Sequence, residues 1–155
     1  MSYNLTVKKM AVFAVMAITL TACASDGMRS TYDMGSSKEG TVMELVRNVG
    51  DRVFFATDRS TLNESARATL QKQASWLNGN NVSLIIEGHA DERGSRDYNL
   101  DLGARRANAV RDYLVSLGVN PSRLSTISYG KERPVSLCAD ESCWSKNRRS
   151  VSVKR

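Results

Sequence analysis

Residues 88–107, GHADERGSRDYNLDLGARRA, constrain this chain more than any other stretch. They begin where an apolar strand pattern ends and run three turns into an amphipathic helix pattern. They hold the only histidine, His89, and a cluster of both charge signs. Projected at about 100° per residue, Gly103, Ala107, Val110, Leu114 and Leu117 share one face, which Leu102 and Tyr113 widen to about 200°. Arg106 and Asn99 fall inside that apolar stripe, whereas Arg105, Asp101, Asn108, Asp112 and Ser116 group on a solvated face. A guanidinium does not lose its charge at neutral pH, so a half-buried Arg106 needs a partner. Three readings stay open on periodicity alone. The arginine forms an internal ion pair, or packs its stem and extends its head to water, or presents a fork to a ligand carboxylate beside Asp91.

On either side of this stretch the order of elements is legible. Arg52 to Ala56 reads as a short strand. Leu62, Ala66, Leu70, Ala74 and Leu77 recur at helical spacing with Gly79 as a stop. Val82 to His89 is the best strand, with Val82, Leu84 and Ile86 on one face. The second helix is expected over Asp97 to Leu117, ending at Gly118. Leu124 to Tyr129 reads as a third strand and Arg149 to Lys154 as a fourth, for which an edge position is expected. This order, βαβαβ plus a final β-strand, predicts an α+β two-layer domain with helices on one face of a mixed sheet.

The N-terminal 22 residues read as an export signal, with Lys8 and Lys9 ahead of the apolar run Met10 to Ala22. Thirteen residues rise only about 20 Å as a helix, short of a bilayer core. The run ends in Leu20-Thr21-Ala22-Cys23, which resembles a bacterial lipobox. That resemblance implies diacylglycerol on the Cys23 thiol, cleavage before it and an N-acyl chain on the new amine. Ala24 after the cysteine resembles lipoproteins forwarded to the outer membrane. Residues 23–45, rich in Gly, Ser and Thr, read as the lipidated N-terminus and a tether, and 46–155 as the folded domain.

Lys8 and Lys9 contribute two of the six net positive charges, and the remaining Lys and Arg are scattered, without a basic run interleaved with aromatics. Nucleic acid is therefore excluded as a partner. Cys138 and Cys143, left as an even pair in an exported chain, are read as a disulfide in the loop before the last strand. A metal there would need two further ligands, and none is expected.

Gly88-His89-Ala90-Asp91-Glu92-Arg93-Gly94, Tyr98-Asn99, Leu102-Gly103, Arg105 to Val110, Ser128 to Pro134 and Ser145 to Arg149 together closely resemble the OmpA-like peptidoglycan-binding domain family. The likeness covers about residues 48 to 155, and the lipobox and tether add the layout of the family's lipid-anchored members. It implies a non-catalytic domain in which Asp91 and Arg106 grip the diaminopimelate of a peptidoglycan stem peptide. One carboxylate and one guanidinium can read both charges of a zwitterion. A lysine stem peptide lacks that carboxylate and would leave Arg106 unpaired. Asn99, Leu102 and Phe55 are the remaining residues expected at the ligand. Phe55 belongs to Phe55-Ala56-Thr57-Asp58, where Thr57 replaces the family's second aromatic. Asn147, Arg148 and Arg149 are expected to fasten the last loop to the sheet. No cofactor is implied beyond the lipid on Cys23. The implied partners are peptidoglycan, the outer membrane, and TolB with the other Tol proteins. A hydrolase reading, with His89 oriented by Asp91 or Glu92, lacks a nucleophile on a recognisable elbow. On the clamp reading, Asp91→Ala and Arg106→Ala lose binding and keep the fold.

Overall fold

A computed structural model describes residues 42–155. The expected export signal, Cys23 and nearly all of the tether lie outside the described residues. A short helix α1 (Val42–Glu44) continues as a π-helical turn over Leu45–Val49. There follow β1 (Arg52–Phe54), α2 (Glu64–Gly79), β2 (Leu84–His89) and α3 (Arg96–Ser116). A 3₁₀ turn (Pro121–Arg123) then leads into β3 (Leu124–Gly130), α4 (Glu141–Asn147) and β4 (Arg149–Lys154).

The four strands form one mixed sheet in the order β1-β4-β2-β3. β2 and β3 run parallel, while β4 pairs antiparallel with both β1 and β2. The α+β architecture matches expectation. The place of β4 does not, because it is an inner strand rather than an edge. Its inward residues Ser150 and Ser152 are small and polar, a pattern that reads as solvent-facing. The structure satisfies one of them directly, since the Ser152 hydroxyl donates to Gln73 Oε1 at 2.8 Å and its N–H to the Asp51 carbonyl at 2.7 Å.

Val53, Leu84, Ile86 and Leu124 of the sheet pack against Leu70, Ala74 and Leu77 of α2 and Ala107, Val110 and Leu114 of α3. Each Val, Leu or Ile among these contributes about 1.5–3 kcal/mol on burial. Both long helices begin at side-chain caps. Asn63 accepts from the Ala66 N–H at 2.8 Å, and Ser95 accepts from the Tyr98 N–H at 3.2 Å. Leu45, placed by its neighbours' composition in the tether, is 1% exposed and belongs to the core. The folded unit thus starts a few residues before the sequence pattern becomes periodic.

Two glycines set the distance between β2 and α3. A Cβ on Gly88 would lie 1.9 Å from the Gly103 carbonyl oxygen, and one on Gly103 would lie 2.3 Å from Ser128 Oγ. No other residue permits that approach. It lays α3 directly on the C-terminal end of β2, so that Arg106, one turn beyond Gly103, arrives at the loop carrying Asp91.

A bounded acidic and basic cavity as the candidate functional site

The loop after β1, the loop after β2 and the first three turns of α3 enclose a cavity of about 320 Å³. Thr57, Asp58, Asp91, Arg93, Gly94, Tyr98, Asn99, Leu102 and Arg106 line it. Two carboxylates and two guanidiniums therefore face one space.

Arg106 is fully buried, at 0% exposure, not half-buried as its place on the stripe edge implied. Its expected carboxylate partner is also absent from its hydrogen bonds. Nε donates to the Arg59 carbonyl at 2.9 Å, Nη1 to that of His89 at 2.8 Å and Nη2 to that of Ala56 at 3.1 Å. Backbone carbonyls of the loop after β1 and of the last residue of β2 thus take the place of that carboxylate. Three of the five N–H groups of the guanidinium are engaged in these bonds. Burial lowers its pKa to about 10, against the attraction of Asp91 and with the repulsion of Arg148. It stays charged at any physiological pH. Phe55, 4% exposed, lies under the guanidinium, 5.2 Å from its ring centroid, and does not line the cavity.

Asp91 is gripped by two other arginines. Its Oδ1 accepts from the Arg93 N–H at 3.2 Å and Nε at 3.1 Å, and Oδ2 from Arg93 Nη2 at 2.6 Å and Arg148 Nη1 at 3.3 Å. Burial opposes its ionisation, but the bonds from Arg93 and Arg148 outweigh that and hold the carboxyl below the usual carboxylate range. Arg148 also reaches the Phe55 carbonyl at 3.0 Å and the Glu141 carboxylate. Asn147 accepts from the N–H groups of Val135 and Ser136, and Arg149 donates to the Arg133 carbonyl at 3.2 Å. The closing Asn-Arg-Arg run therefore fastens the last loop as expected, and its first arginine enters the site as well.

Asn99, 2% exposed, donates to the Arg93 carbonyl at 2.8 Å and holds the Asp91 loop to α3, while Leu102 supplies an apolar wall. Asp58, Arg93 and Tyr98 were not singled out by periodicity. Asp58 adopts a left-handed backbone, φ 55°, and its carboxylate accepts the Tyr98 hydroxyl proton. The Asp-x-Arg spacing of Asp91 and Arg93 is the one local signal that could have found the second cation. Cys138 and Cys143 are joined by a disulfide, with Cα atoms 5.5 Å apart, tying the loop to the first turn of α4.

His89 lies outside the cavity lining, 1% exposed, with its ring against Tyr129 at 5.6 Å between centroids. Glu87 comes no nearer to Nε2 than 3.5 Å. The imidazole has no route to a substrate in the cavity, so the hydrolase reading fails. Burial, reinforced by the positive charges of Arg149 and Arg133, lowers its pKa from 6.5 to about 4. Above pH 6.5 the histidine is neutral folded or unfolded. As pH falls below 6.5 only the unfolded chain takes up the proton, so stability is lost down to about pH 4 and then levels. Urea titration should show a loss of about 2 kcal/mol between pH 6.5 and 5 from this group. His89→Gln should flatten that part of the profile, and an unchanged slope would show the imidazole to be accessible to protons.

Residues 54–148 match the model of the OmpA family, and the chain belongs to that family. Among its relatives, the peptidoglycan-associated lipoproteins of Rhizobium meliloti and Mesorhizobium japonicum are 52% identical over 146 residues and 57% identical over 120 residues. Those alignments cover 90% and 77% of this chain, and 83% and 71% of the relatives. The fold is similar to the crystal structure of the peptidoglycan-associated lipoprotein from Burkholderia pseudomallei, with a TM-score of 0.66 and 40% identity over 68% of this chain and 90% of that one.

Proposed function

We propose that the cavity binds the zwitterionic end of meso-diaminopimelate in a peptidoglycan stem peptide. The observation that carries this reading is the alternation of charge around one small space, Asp58 and Asp91 with Arg93 and Arg106. A ligand carboxylate meets the two guanidiniums, and the neighbouring ammonium meets Asp58 and the field of Asp91. Arg106 is held by the backbone before any ligand arrives, so little ordering entropy is lost at that side chain on binding. The names of the relatives support the same reading. With the lipobox at Cys23, they support a lipoprotein whose acyl chains sit in the outer membrane while the domain holds peptidoglycan in the periplasm. A partnership with TolB and the other Tol proteins, and a part in envelope integrity and cell division, belong to this proposal through the resemblance alone.

Calorimetric titration with two stem peptides tests it, one bearing meso-diaminopimelate and the other lysine at the third position. The first should bind at least about tenfold more tightly, because lysine leaves buried N–H groups unpaired. Asp91→Ala should remove that binding. Equal affinity for the two peptides, or full binding by the variant, would rule the zwitterion reading out.

A further inference from the structure

α4 has seven residues, yet its bonds converge on the buried carboxylate of the cavity. Cys143, in its first turn, is covalently tied to Cys138. The next residue, Trp144, donates from Nε1 to Glu92 Oε1 at 2.9 Å. The Arg93 guanidinium lies over the Trp144 ring, 4.1 Å from its centroid, and the same guanidinium makes two bonds to Asp91. Glu141 opens the helix and Arg148 follows its end, and these two pair with each other while Arg148 also reaches Asp91.

We propose that α4 is a brace for the ligand site, in which Trp144 is a positioning residue that holds Arg93 against Asp91 and the Cys138–Cys143 disulfide holds Trp144 in place. The proposal rests on the zwitterion reading of the cavity for its effect on binding, but not for its effect on Asp91. The Arg93 side chain is 38% exposed. An ion pair at that exposure holds a long side chain weakly, because immobilising its rotamers offsets most of the attraction. Stacking on an indole adds a second attraction and excludes competing rotamers. Without the indole, Arg93 divides its time between Asp91 and water, and the cavity loses one of its two cations for the same fraction of time.

Asp91 reports on this directly. The charged groups that face it are Arg93 and Glu92 on its own loop, Arg106 on α3, Asp58 after β1, and Arg148 with Glu141 from α4. Loosening the Arg93 side chain removes two of the four bonds that favour the carboxylate, so Asp91 should titrate at higher pH. The experiment uses the full chain in detergent and reads two quantities. One is affinity for the diaminopimelate peptide. The other is the titration midpoint of the Asp91 carboxyl carbon by NMR, without peptide.

Trp144→Ala should weaken binding about two- to fivefold and raise the midpoint. Trp144→Phe, which keeps a ring under Arg93, should restore most of both. Glu92→Ala, an exposed change, removes the indole's acceptor together with a negative charge beside Arg93, so it is read on binding alone, which should fall by less than in Trp144→Ala. Dithiothreitol should act in the same direction as Trp144→Ala, its dithiol closing to a cyclic disulfide while Cys138 and Cys143 each become a thiol. An Asp91 midpoint unmoved by Trp144→Ala overturns the brace. A midpoint that moves in a protein that binds no peptide keeps the brace and overturns the zwitterion reading instead.

Discussion

Replacing Arg106 with alanine is expected to cost the domain about 3–5 kcal/mol of folding stability, as well as its ligand. The periodicity of α3 finds this arginine, and the clamp reading treats it as a residue that can be removed without harm to the fold. The structure shows otherwise. One guanidinium holds the carbonyls of Ala56 and Arg59, in the loop after β1, and of His89, at the end of β2. Truncation leaves these carbonyls, that of buried His89 above all, without their donor, and a void where the guanidinium had lain over Phe55. Arg106→Lys keeps the charge but not the planar fork, and should recover only part of the loss. Urea denaturation monitored by the fluorescence of Trp76 and Trp144 gives the comparison. A denaturation midpoint equal to that of the unaltered protein would mean that these carbonyl bonds do not hold the loops.

The second large effect is expected far from any charge. Gly88→Ala places a methyl group where the Gly103 carbonyl oxygen would lie 1.9 Å away, with the Ala107 methyl at 3.2 Å. Neither obstacle is a flexible side-chain end, so α3 must lift from β2. We expect a loss of about 3 kcal/mol, seen as a fall in Tm of about 12–20 °C for a domain of this size. Because α3 carries Arg106, Asn99 and Leu102, affinity should fall with stability. Gly79→Ala is the matching control, since nothing lies within 4 Å of its added Cβ. It should leave Tm unchanged or raise it slightly. A Gly88→Ala protein that melts with the control would show that the helix can shift at little cost.

The sequence carried the elements and their inward faces because burial imposes periods of 3.6 and 2. Arg106, Asn99 and Gly103 were found inside a stripe, Arg105 was found outside it, and each lies there. What periodicity cannot carry is the identity of a partner. A half-buried arginine announces that something must accept its protons, but a backbone carbonyl has no letter in the sequence, and the carbonyls of Ala56 and Arg59 are 50 and 47 residues away. β4 was misplaced for a related reason. Serine reads as solvent-facing, and only the fold supplies Gln73 as a partner for Ser152. α4 was not foreseen, since its seven residues, ESCWSKN, have no apolar stripe and are held by a disulfide and by Glu141 with Arg148. Asp58 and Tyr98 escaped notice because they meet across 40 residues on exposed segments.

The double duty of Arg106 divides the cavity into a part that can vary and a part that cannot. Its inner wall is a rivet through a loop, a strand end and a helix, so any change there alters whether the domain exists before it alters what the domain prefers. The outer rim of Asp58, Arg93 and Tyr98 is exposed and carries no such duty. Selectivity among ligands can therefore be retuned only from the rim, and an attempt to redesign this pocket should begin there and leave the inner arginine alone.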